Sequence, residues 1–120
     1  MFQLTLKGDI ASAHFLRGYP GKCKDLHGHT WKVEVFLSSD KLNEIGMVED
    51  FAKLKIQFKE FLSHLDHKNL NDLEYFKTVN PTAENIAKFI YQNFAKEVKP
   101  LRMIKTQVWE SDMASAIYYE

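Results

Sequence analysis

The first fourteen residues alternate in character. Phe2, Leu4, Leu6, Gly8, Ile10, Ser12 and His14 share one parity, and Gln3, Thr5, Lys7 and Asp9 share the other. Period two is the side-chain spacing of a β-strand, so the chain must open with a strand that buries one face. His14 falls on that apolar face, near its end. A loop, "RGYPGKCKD", follows, punctuated by Gly18, Pro20 and Gly21. Alternation resumes in "HTWKVEVFLS", where His29, Trp31, Val33, Val35 and Leu37 face one way and Thr30, Lys32 and Glu34 the other. The two strands are expected to be antiparallel neighbours.

The period then changes. In "EDFAKLKIQFKEFLSHL", Phe51, Leu54, Phe58, Phe61, Leu62 and Leu65 fall at helical spacing, with Asp50 suited to cap the start. The aromatic stripe Phe51, Phe58 and Phe61 is expected in the core, and the lysines of "KLKIQFKE" on a solvated face. A second helix follows "VNPTAEN", with Ala83, Ile86, Ala87, Ile90 and Phe94 on one stripe. Pro81 and Glu84 suit its entrance. Between the helices lies the polar segment "LDHKNLND", and two further strands are expected near 102–110 and 113–119. The order β-β-α-α-β-β predicts an α+β fold, a four-stranded antiparallel sheet with two helices on one face. Its two unpaired edges make a homo-oligomer the expected form.

At 120 residues the chain is expected to be a single domain. Lys plus Arg and Asp plus Glu number 16 each, so no net field favours nucleic acid or an acidic membrane surface. No apolar run approaches the roughly 20 residues of a spanning helix. The N-terminal residues lack the basic and long apolar regions of a signal peptide. A single cysteine cannot form an internal disulfide, which points to a reducing cytoplasm.

"KCKDLHGHTW" crowds His27, His29 and Cys23 into one segment. On a strand, residues two apart project to the same side, so His27 and His29 can grip one ion, and His14 on the partner strand can supply a third nitrogen. Three imidazoles with a fourth position free describe a catalytic zinc site, although the imidazoles alone do not select zinc over other metals. Gly28 is expected to let the backbone bend where loop becomes strand. Unrelated surface histidines are the plainer reading of an HxH pair; the added apolar-face His14 tips the balance towards a metal.

Cys23 sits among Gly21, Lys22, Lys24 and Asp25 rather than in a core strand. Free cysteine is usually a small buried apolar group, but two lysines and a nearby metal would favour thiolate, a usable base or nucleophile. Asp66 and His67 read most simply as a turn residue and a solvated ring. The functional alternative is a carboxylate orienting a proton-moving imidazole. His64 is expected on the surface. Glu110, sharing parity with Ile104, Thr106 and Val108, is either a charged strand end or a carboxylate that accepts two hydrogen bonds from a planar guanidine-like edge.

Taken in order, "ASAHF", "CKDLHGHTWKVEV", "GMVEDFAKLK", "LDHKNLN", "NPTAENIAKFI" and "WES" resemble the 6-pyruvoyl-tetrahydropterin synthase family over nearly the whole chain. The likeness is strongest to its bacterial branch, which forms 6-carboxytetrahydropterin in queuosine biosynthesis. In that branch, as here, three residues separate the cysteine from the first histidine of the pair. Ile10 departs from the phenylalanine frequent in the family, a change that keeps an apolar, β-compatible side chain.

The resemblance implies a pterin-binding T-fold (tunnelling fold) over residues 1–120, assembled as trimers or hexamers with sites between subunits. It implies His14, His27 and His29 as zinc ligands, Cys23, Asp66 and His67 as catalytic residues, and Glu110 as pterin anchor with Thr82 and Glu84 near the ring. The implied enzyme is a zinc-dependent lyase acting on 7,8-dihydroneopterin triphosphate. The carboxy-forming branch releases acetaldehyde and triphosphate; the pyruvoyl-forming branch eliminates triphosphate and keeps the side chain. A non-catalytic pterin- or zinc-binding module is the remaining reading, which the presence of Cys23 beside the histidine pair disfavours.

Overall fold

A computed structural model describes residues 1–120. Four strands, β1 (Phe2–His14), β2 (His27–Ser39), β3 (Arg102–Ser111) and β4 (Ala114–Tyr118), form one antiparallel sheet in that spatial order. Helices α1 (Phe51–Ser63) and α2 (Ala83–Glu97) connect β2 to β3. The expected β-β-α-α-β-β order is therefore observed. Short 3-10 turns occupy Lys22–Lys24, Leu70–Asp72 and Glu74–Lys77.

Both helices pack on the face that carries the apolar parity. Leu6 and Ile10 of β1, Trp31, Val33, Val35 and Leu37 of β2, and Val108 of β3 are buried in one cluster with Leu54, Phe58, Ile86, Ile90 and Phe94 of the helices. Each such side chain contributes about 1.5–3 kcal/mol by leaving water. Gly8 lets α1 approach β1 closely, since a Cβ there would stand 2.6 Å from Leu62 Cδ1. The Asp50 carboxylate caps α1 by accepting from the Ala52 N–H at 2.9 Å. At α2 the cap is Thr82, whose hydroxyl accepts from the Asn85 N–H at 3.1 Å. Pro81 thus precedes the cap rather than opening the helix.

Four expectations need correction. Phe51 is 48% exposed: as the first residue of α1 it lines an open groove beside the start of β1 rather than the core. Phe2 is 45% exposed for the same reason, and the two line one end groove with Leu42 and Met47. Gly28 does not bend a loop into a strand, because β2 already begins at His27 and pairs Gly28 with Ala13. The parity of β3 breaks at Ile104. Phe36 pairs with Lys105 but Leu37 with Met103, so Ile104 is the extra residue of a bulge. Met103 therefore points inward before the bulge, and Thr106 and Val108 after it.

The polar segment between the helices is not a free loop. It docks along the outer edge of β1: the His67 N–H donates to the Ala11 carbonyl at 2.7 Å, and the Ala13 N–H to the Lys68 carbonyl at 2.9 Å. Leu65 and Leu70 are buried beneath it, and Ser12 Oγ donates to the Leu65 carbonyl. The β1–β2 ladder runs unbroken from Phe2 opposite Ser39 to His14 opposite His27. It carries the histidines to the end of the sheet opposite Phe2.

Candidate metal centre

The register of two strands builds this site. His14 lies directly across from His27, and Ser12 across from His29, so all three rings rise from the helix-covered face. Ring centroids are 4.5 Å apart for His14 and His27, 5.1 Å for His14 and His29, and 4.8 Å for His27 and His29. One ligand atom from each falls within 4.8 Å of the others, a spacing that positions the three to bind a metal. Below them the Trp31 ring forms the floor, 4.9 Å from His14 and 5.0 Å from His29, with its N–H donated to the Ser12 carbonyl.

Hydrogen bonds fix the protons. His14 Nδ1 lies 2.7 Å from the Pro81 carbonyl, and His27 Nδ1 2.7 Å from the Asp25 carbonyl. A carbonyl only accepts, so both Nδ1 atoms must donate. In the neutral rings that leaves lone pairs on the two Nε2 atoms, which are 3.0 Å apart. Two acceptors at that distance repel unless a cation lies between them. His29 Nε2 is buried without any hydrogen-bond partner. Two opposed lone pairs and one orphaned nitrogen fit a metal ion, and carbonyl-anchored imidazoles are the usual support of metal-binding histidines.

The electrostatics agree. Burial holds the His14 pKa below the ordinary imidazole value, outweighing the Pro81 hydrogen bond, and the neighbouring His27 and His29 push it the same way. Burial likewise lowers His29. Neutral rings are the state a metal needs. The Glu110 carboxylate acts on both His14 and His29 in the opposite sense. It therefore sits near the cluster, half-buried at the end of β3.

The other candidates surround this centre unequally. Cys23 lies in the 3-10 turn of the loop leading to His27, half-buried, and is not one of the clustered ligands. Its carbonyl accepts from the Leu16 N–H at 2.8 Å, which ties the turn to the chain just after His14. Asp66 accepts from the Ala11 N–H at 2.7 Å and lies 2.9 Å from His67 Nδ1. The first of these bonds is the main reason its carboxyl titrates below the usual range. The pair therefore exists, but off the outer edge of β1, with the His67 side chain 82% exposed. His67 also adopts φ 55°, the left-handed region that costs a non-glycine residue energy. Strain of this kind clusters at functional positions. An open depression of about 520 Å³ carries both His67 and His29 on its lining.

Thr82 and Glu84 stand at the entrance of α2, one residue and three residues beyond the Pro81 carbonyl that holds His14. Thr82 is engaged as the helix cap and Glu84 is exposed. A groove of about 530 Å³ on the outer face of the sheet, lined by Lys7, Asp9, Lys32, Glu34 and Trp109, contains none of the candidate residues. Sequence reasoning missed the Pro81 and Asp25 carbonyls, because a backbone acceptor leaves no signature in residue type.

A family model for 6-pyruvoyl tetrahydropterin synthase matches residues 3–120. The 6-carboxy-5,6,7,8-tetrahydropterin synthase of Haemophilus influenzae is 32% identical over 142 aligned positions, which cover 100% of both chains. The human 6-pyruvoyl tetrahydrobiopterin synthase is 37% identical over 102 positions, 82% of this chain and 70% of the human one. Among solved structures, the 6-pyruvoyl tetrahydropterin synthase of Caenorhabditis elegans superposes with a TM-score of 0.88 at 28% identity, covering 99% of this chain and 95% of that one. The fold is thus the T-fold expected from the motifs.

Proposed function

Since this chain belongs to the 6-pyruvoyl tetrahydropterin synthase family, we propose that it is a zinc-dependent 6-carboxytetrahydropterin synthase. Residues 1–120 act as one pterin-binding domain. The reaction converts 7,8-dihydroneopterin triphosphate and one water to 6-carboxytetrahydropterin, acetaldehyde and triphosphate, as a step of queuosine biosynthesis in the cytoplasm. The observation that carries this reading is the convergence of three imidazoles whose free nitrogens lack any proton donor, beside a carboxylate and a thiol-bearing turn.

His14, His27 and His29 hold the metal, which when bound supplies Lewis acidity towards a substrate hydroxyl. Glu110 accepts hydrogen bonds from the amino and ring N–H edge of the pterin and so fixes the heterocycle, with Thr82 and Glu84 near the ring. Cys23, as thiolate, removes a carbon-bound proton from the substrate side chain. His67, oriented by Asp66, moves protons to or from that side chain. The chain assembles as a trimer or hexamer with sites between subunits, and the position of Asp66 and His67 off the outer edge of β1 suits contact with a neighbouring copy.

The pyruvoyl-forming activity is the second reading, favoured by the likeness to the human enzyme. Mass-spectrometric analysis of the products from dihydroneopterin triphosphate separates the two. Carboxytetrahydropterin with acetaldehyde supports the first reading; pyruvoyltetrahydropterin without acetaldehyde replaces it with the second.

A further inference from the structure

The turn that holds His14 is itself held from two sides. The Asn80 side chain pairs with both backbone groups of Arg17: its Oδ1 accepts from the Arg17 N–H at 3.0 Å, and its Nδ2 donates to the Arg17 carbonyl at 2.9 Å. Two residues earlier, Asn71 grips Phe15 the same way, at 2.9 Å and 3.0 Å. The two amides thus continue, with side chains, the edge pairing that His67 and Lys68 make with their backbones. The Asn80 carbonyl in turn accepts from Asn85 Nδ2 and from the Thr82 N–H, both at 2.9 Å. Pro81, with its φ fixed by the ring, is the centre of that closed three-residue turn, and its carbonyl receives His14 Nδ1.

We propose that Asn80 and Asn85 are positioning residues for the metal ligand His14. They fix the Pro81 carbonyl, which sets the tautomer and ring direction of the imidazole. The inference rests on the metal-binding reading of the three histidines. Asn85 is not needed as a helix cap, because Thr82 fills that place. Its side chain is left to act on the turn alone. Neither asparagine touches the metal cluster directly: Asn85 acts only through the Asn80–Pro81 turn, whereas Asn80 also ties the backbone of Arg17.

The test is metal titration of the chelator-treated full-length chain, with zinc measured by competition against a chromophoric chelator and cobalt by its visible spectrum. Asn80→Ala and Asn85→Ala are each expected to weaken zinc about 10- to 100-fold, as losses of supporting shells do, and to alter the cobalt bands. Tyr91→Phe is the control, since it deletes a buried hydrogen bond to the Met103 carbonyl on the far flank of α2. It is expected to lower the melting temperature of the metal-free protein while leaving affinity and spectrum unchanged. Asn85→Ala keeps the α2 cap and so remains informative if Asn80→Ala does not fold. Wild-type affinity and spectrum in Asn85→Ala would overturn the proposal, as would an equal loss in Tyr91→Phe. A wild-type chain that binds neither metal would instead remove the reading beneath it.

Discussion

His14 and His27 stand directly opposite each other in the β1–β2 ladder, with their Nε2 atoms 3.0 Å apart and each Nδ1 committed to a carbonyl. Two nitrogens so placed have no proton to share while both rings are neutral. With His29, whose Nε2 is buried and unpartnered, they make a centre that a cation completes.

His29→Ala separates metal binding from folding. It removes a ligand whose buried nitrogen has no partner in the metal-free chain, so the hydrogen-bond loss is nil and only packing against His14, His27 and Trp31 is given up. Zinc affinity should fall more than the roughly 10- to 100-fold typical of outer-shell losses. The metal-free protein should unfold within about 1–2 kcal/mol of wild type in denaturant. Unchanged zinc affinity would show that His29 is not a ligand.

The pH dependence of the metal-free protein has a definite sign. Burial lowers the pKa of His14 and His29 in the folded chain, whereas in the unfolded chain both titrate at about 6.5. Above that value neither state holds the protons, and these groups contribute no slope. As pH falls below it, the unfolded chain takes up protons that the folded chain refuses, so stability drops. Urea midpoints measured between pH 8 and pH 5 should therefore be level at first and then decline. A midpoint that rises over the acidic half would contradict the assigned shifts.

Cys23 lies outside the ligand cluster. Cys23→Ala should therefore keep zinc stoichiometry and pterin affinity but lose turnover, by about 100-fold or more for a missing base. Metal analysis decides the point, since lost zinc would make Cys23 a ligand instead.

Glu110→Gln should weaken pterin binding by about 1.5–3 kcal/mol, the worth of hydrogen bonds to a charged group, with the metal retained. Fluorescence titration with a dihydropterin reads this directly. Equal affinity in the variant would remove Glu110 as the anchor.

Gly8→Ala tests the packing of α1 on β1. A Cβ would meet Leu62 Cδ1 at 2.6 Å and Phe58 Cε2 at 3.2 Å, both on buried side chains. Overpacking of this kind costs about 1–3 kcal/mol, so the melting temperature should drop by several degrees. A variant as stable as wild type would mean that α1 shifts outward freely.

Much of this was legible in the residues, for physical reasons. Periods of two and of helical spacing report burial directly, which is why β1, β2, α1 and α2 fall where the apolar stripes place them. The three histidines were readable because strand parity puts His27 and His29 on one side and the ladder supplies His14. Periodicity fails where regularity fails. The bulge at Ile104 swaps the faces of β3, and a second register shift, between Trp109 and Ser111, falls at Glu110 itself, so parity alone does not fix the side of Glu110. Phe51 satisfies the helical stripe but, at the first position of α1, lies in an open groove and stays half exposed. Asn71 and Asn80 were invisible because an amide that pairs a distant backbone looks like any polar loop residue.

The central claim is that turnover needs a metal held by the three histidines. The most direct test strips the protein with a chelator, confirms the loss by metal analysis, and follows consumption of dihydroneopterin triphosphate before and after zinc is returned. The stripped protein should be inactive, zinc should restore it, and His29→Ala should stay inactive under the same treatment. A folded, metal-free protein that consumes the substrate at the untreated rate would contradict the account.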